Sequence, residues 1–101
     1  MINWEYNDYR YAGFECYEAQ FNTHYKITVT KLVDNGTSYS VRWYYKDMTD
    51  IKKHIDADDW DKAKEAAINI VYDYIDGQAN YWHTMRDKFV DCIARQLVYL
   101  L

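Results

Sequence analysis

The sequence predicts an α+β fold: an antiparallel three- to four-stranded sheet followed by two packed helices. Three observations carry this. Residues 25–46 alternate apolar and polar side chains around a turn signal, as a β-hairpin does. Residues 58–100 repeat apolar side chains at spacings of three and four, the helical period. The strands come first and the helices last, which places helices on the apolar face of an antiparallel sheet. At 101 residues the chain reads as a single domain, 1–101.

Each element has its own warrant. Residues 1–9 are polar and aromatic and read as a segment that wraps the body. Residues 11–20 form a strand with Ala12, Phe14 and Cys16 on one side, although Glu18 breaks that pattern. Asn22, Thr23 and His24 make its turn to the next strand. In the hairpin, Asp34-Asn35-Gly36 separates the two runs. A two-residue turn would pair Val29 with Arg42 and mix the faces. A three-residue loop, 34–36, pairs Val29 with Val41, Ile27 with Trp43 and Tyr25 with Tyr45, giving one apolar face. Gly36 would then sit in the left-handed conformation of a bulged hairpin loop.

Residues 50–55 alternate weakly and read as a short edge strand or one helical turn. Asp58 or Asp59 caps the first helix, since carboxylates satisfy the free N–H groups there. Its apolar stripe is Trp60, Ala63, Ala67, Ile70, Val71 and Tyr74, and Gly77 is its stop signal. A second helix covers about 80–99, with Trp82, Met85, Phe89, Cys92, Ile93, Gln96, Leu97 and Leu100 as its buried face.

Composition sharpens the picture. Tyrosine occurs 12 times, proline never, and the formal net charge is −4. This excludes collagen-like, disulfide-framework and proline-rich disordered chains, and it argues against a general DNA-coating protein. The charge is local. Acids and bases balance in 1–46 and again in 62–101, so the whole excess lies in 47–61. There Asp47, Asp50, Asp56, Asp58, Asp59 and Asp61 face only Lys52 and Lys53. Cys16 and Cys92 show no metal-ligand or redox spacing, and no secretory leader or membrane span is recognisable. These features point to a cytoplasmic protein with reduced thiols.

A search for catalytic chemistry returns little. The three glycines, 13, 36 and 77, form no phosphate loop, and no metalloprotease or calcium-loop pattern is present. His24, His54 and His83 are scattered; of the Cys–His pairs, His83 and Cys92 face opposite ways on a helix, leaving Cys16 with His24. No enzymatic activity and no cofactor are expected. The acidic stretch reads either as a solvated, helix-capping loop or as a docking surface for a basic protein partner. In the second reading Asp50, Asp56, Asp58, Asp59 and Asp61 supply charge, while Tyr44 and Trp60 supply aromatic anchors. A rival reading uses Lys26, Arg42 and Tyr44 on the opposite sheet face to stack single-stranded bases, although nucleic acid is not the leading expectation. The apolar C-terminus, Leu97 to Leu101, offers a third: a dimeric accessory protein.

The hairpin Tyr25–Lys46, the Asp-rich connection and the segment 58–67 (DDWDKAKEAA) resemble, in size, charge and architecture, the small phage-encoded inhibitors of the anti-CRISPR type. That resemblance implies a non-enzymatic inhibitor whose acidic surface occupies the nucleic-acid-binding site of a host defence nuclease.

Overall fold

The alternation in 25–45 sets the sheet, and its register is the one a three-residue loop demands. Val29 pairs with Val41, Ile27 with Trp43 and Tyr25 with Tyr45. The computed structural model describes the backbone of residues 2–33 and 38–100, and the side chains of 2–33 and 38–95. The bulged conformation expected at Gly36 lies outside the described residues.

Five strands precede one helix: β1 (Glu5–Tyr9), β2 (Phe14–Gln20), β3 (Tyr25–Leu32), β4 (Ser38–Tyr45), β5 (Met48–Asp56) and α1 (Trp60–Leu100). The sheet order is β1-β2-β3-β4-β5, and every neighbouring pair is antiparallel. The sheet is thus wider than the three to four strands the sequence suggests. Residues 5–9 pair with β2 along one edge instead of merely wrapping the body. Residues 48–56 form the other edge, a strand and not a helical turn.

Local chemistry closes each connection. A 3-10 turn at Arg10–Ala12 ends at Gly13, whose φ of +94° is accessible to glycine at no steric cost. The Gly13 N–H donates to the Arg10 carbonyl at 3.0 Å. The Asn22 side chain accepts from the N–H groups of His24 and Tyr25 at 2.7 and 3.0 Å, which folds the β2–β3 turn. Trp43 pairs with Ile51 but Tyr44 with Thr49, so Asp50 is the extra residue of a β-bulge on the edge strand.

One face of the sheet carries the core. Ala19, Ile27, Val29, Tyr39, Val41, Trp43 and Ile55 are buried there, together with Ala63 and Ala67 of α1. The parity of β2 is the reverse of the expected apolar side. Tyr17 and Ala19 face the core, while Phe14, Cys16 and Glu18 share the other face, where Glu18 reaches Lys26 at 3.7 Å. Glu18 therefore continues the pattern instead of breaking it.

The expectation of two helices is corrected. α1 runs unbroken through Gly77, which has no positive φ. A glycine inside a helix costs only about 1 kcal/mol relative to alanine, and no proline follows to enforce a stop. Two compact units result, 1–69 and 70–101, with the boundary inside α1. The first holds the sheet and the start of the helix; the second is helix.

Candidate functional site

The distal helix is where the sequence and the solvent disagree most. Every described side chain from Ile75 to Arg95 is exposed. Ile75, Gln78, Trp82, Met85, Phe89 and Cys92 follow spacings of three and four, so they form one stripe along α1. Trp82 is 65% and Phe89 66% exposed, and Met85 and Ile93 are open as well. The face predicted to be buried is therefore bare along its described length; the side chains of Gln96, Leu97 and Leu100 lie outside the described residues. Its physical cause is the missing break at Gly77: with no second helix, nothing in the second unit covers the stripe. Tyr81 packs edge-on against Trp82, with ring centroids 5.5 Å apart. The charged residues flanking the stripe, Arg86, Lys88 and Arg95, are all basic. Arg95 also bridges Asp91 at 3.1 Å and Arg86 lies 3.7 Å from Asp87.

The acidic stretch is divided by the fold. Asp47 and Asp50 lie near the start of β5, Asp56 is its last residue, Asp58 and Asp59 lie in the connection to α1, and Asp61 lies in the first turn of α1. Six residues of strand, about 20 Å, separate Asp50 from Asp56. Several of these carboxylates have local work. Asp59 caps the helix, its Oδ1 accepting from the Lys62 N–H at 2.9 Å. Asp58 pairs with Lys62 at 3.3 Å, and Asp56 with His54 at 3.0 Å. Asp47, Asp50 and Asp61 carry no such partner among the described residues.

The two aromatic candidates face opposite ways. Trp60 lies against the core face, edge-on to Tyr17 at 4.9 Å and to Tyr39 at 5.1 Å, with Lys31 beside its ring. Lys64 reaches the Tyr17 ring at 3.6 Å. Trp60 therefore holds the start of α1 to the sheet. Tyr44 is on the open face, half-buried, with Lys26 4.9 Å from its ring centroid. Burial pushes its hydroxyl pKa up, but Arg42, Thr28 and Thr49 outweigh this and hold it below the ordinary tyrosine value. A ring already covered by Lys26 is not a free stacking platform.

The remaining nucleophile candidates are separated. Cys16 is buried in mid-strand, and burial, with Glu18, pushes its pKa up, which suppresses the thiolate. His24 lies in the β2–β3 turn beside Tyr45. Among the described residues, no group of three or more His, Cys, Asp or Glu side chains is placed to hold a metal ion. No described helix is long and apolar enough to cross a membrane.

The open face itself carries a feature that residue spacing alone did not reveal. Phe14, Thr30, Leu32, Ser40, Arg42, Lys52 and His54 line a concavity of about 360 Å³. Alternation across β2–β5 brings these side chains together, and the β5 strand had to be recognised before Lys52 and His54 could be placed on that face. A scan against protein-family models and searches of the curated proteins and the solved structures returned no match.

Proposed function

We propose that this chain acts by binding another protein instead of by catalysis, and that the distal half of α1 is the binding element. One observation carries the reading: a helix with an exposed, mostly apolar stripe that includes two large aromatics, Trp82 and Phe89. Exposed apolar patches of this kind mark interaction sites, and a helix laid in a groove is a recurring mode of recognition. Trp82 and Phe89 are the anchors, because large aromatics carry most of the energy of such contacts. The charge pattern selects the occupant. Of the flanking cations Arg86 and Arg95 already meet Asp87 and Asp91, and Lys88 has no ion pair among the described residues, so the complementary partner is an apolar groove with a carboxylate at its rim to meet Lys88.

Inhibition of a nucleic-acid-processing enzyme is one protein-binding role compatible with this reading. Any acidic contribution to it rests chiefly on Asp47, Asp50 and Asp61, the acids without a local partner.

The test uses the wild-type chain and the double variant Trp82→Asp, Phe89→Asp. Light scattering is expected to give a monomer for both. The wild type is expected to retain a partner from a lysate of its source, released at high salt, and the variant to retain none. A wild-type dimer that the variant abolishes would replace the proposed groove with a second copy. Equal capture by both proteins would overturn the helix as the binding element.

A further inference from the structure

Cross-strand pairing places Arg42 directly opposite Lys52 on the open face. Like charges facing each other across two strands are destabilising. Among the described residues neither meets a carboxylate within ion-pair distance: Glu18 is engaged with Lys26 and Asp56 with His54, and Asp50, two residues before Lys52 at the bulge, forms no ion pair with either cation. Arg42 makes one long hydrogen bond, 3.5 Å, to the Tyr44 hydroxyl. Two cations held side by side without a counter-charge are suited to receiving one.

The surroundings define that ligand further. Thr30 and Ser40 pair with each other between the two cations and the apolar end of the concavity, where Phe14 and Leu32 lie. His54 pairs with Ser40 on the adjoining strand. Four residues of β4 separate Arg42 from Ser38, about 13 Å. The site is thus charged at one end, lined with hydroxyls in the middle and apolar at the other. Its volume, about 360 Å³, is within the range of small-molecule sites.

We propose that this face binds a nucleoside monophosphate, with Arg42 and Lys52 on the phosphate, Thr30 and Ser40 on the sugar and Phe14 and Leu32 against the base. Arg presents a planar fork to phosphate oxygens and Lys a point charge, so the pair supplies both geometry and charge. The same chemistry is offered by a free nucleotide and by the terminal nucleotide of a single strand. The site is independent of the distal helix and of the partner that helix takes.

Thermal unfolding of the full chain tests this with three probes: inorganic phosphate, adenosine monophosphate and a 5′-phosphorylated oligothymidine. A ligand bound only to the folded state raises the midpoint in a saturable way. Adenosine monophosphate at millimolar concentration is expected to raise it more than phosphate does. Lys52→Gln is expected to weaken that binding by about tenfold, the loss of one charge-assisted hydrogen bond. Without ligand, the same variant is expected to unfold at or above the wild-type midpoint, because it relieves the opposed charges. An oligonucleotide that binds no more tightly than the mononucleotide identifies the free nucleotide; tighter binding that Lys52→Gln weakens identifies the strand end. No shift with any probe, or equal shifts in wild type and Lys52→Gln, overturns the site. A lower midpoint for ligand-free Lys52→Gln would show that Lys52 is structural and overturn it too.

Discussion

Trp60 shows how one side chain's role is set by its neighbours. Its ring touches Tyr17 and Tyr39, and Tyr39 is 2% exposed. Trp60→Ala removes the contact that holds α1 to the sheet. Core aromatic truncations cost about 3–5 kcal/mol, and a half-buried ring should cost about 2–3 kcal/mol. Urea unfolding monitored by circular dichroism measures this; an unchanged midpoint would return Trp60 to the role of a binding anchor. Tyr6 makes a second residue-scale prediction. Its hydroxyl donates to Glu15 at 2.6 Å, and that bond, more than burial or nearby charge, pushes its pKa up to about 12. The folded state therefore keeps a proton that the unfolded state releases near pH 10. The stabilisation is complete below pH 10 and is lost as pH rises through about 12. Tyr6→Phe should lose less stability than wild type over that interval in denaturant titrations at successive pH values.

At the scale of elements, the helix tests what a glycine means. Gly77 lies within α1, and a β-carbon added there would meet nothing within 4 Å. Gly77→Ala is expected to stabilise the surrounding helix by about 0.5–1 kcal/mol. Slower amide hydrogen exchange around residue 77 would show it; faster exchange would mean the position needs glycine. The central hairpin was legible in the sequence to the residue, because burying Val29, Val41, Ile27 and Trp43 together leaves one register. The edge strands were not. β1 buries no side chain fully and β5 buries only Ile55, so backbone pairing, and not apolar alternation, defines them. Gly77 gave a correct residue with a wrong meaning, since a stop requires the left-handed backbone that spacing cannot report. The acidic stretch was readable as charge but not as geometry, because the length of β5 fixes how far apart its ends lie.

For the whole molecule, the division into a sheet unit and a helical unit predicts that the stability of the sheet does not depend on the exposed stripe of the helix. Trp82→Asp with Phe89→Asp changes only exposed positions of the second unit. The unfolding free energy from urea titration, followed by far-ultraviolet circular dichroism, is expected to change by less than about 0.5 kcal/mol. A larger loss would mean that the stripe supports the fold.

The strand order has a consequence for the order of assembly. Each strand pairs with the one made just before it, so no hairpin waits for a distant segment of chain. A nascent chain can zip from β1 towards β5 with only short loops to close, the regime of rapid folding. The apolar side of that growing sheet then stays uncovered until Trp60, Ala63 and Ala67 have been synthesised. During that interval Ile27, Val29, Val41 and Trp43 are the residues a chaperone, or a neighbouring nascent chain, would meet first.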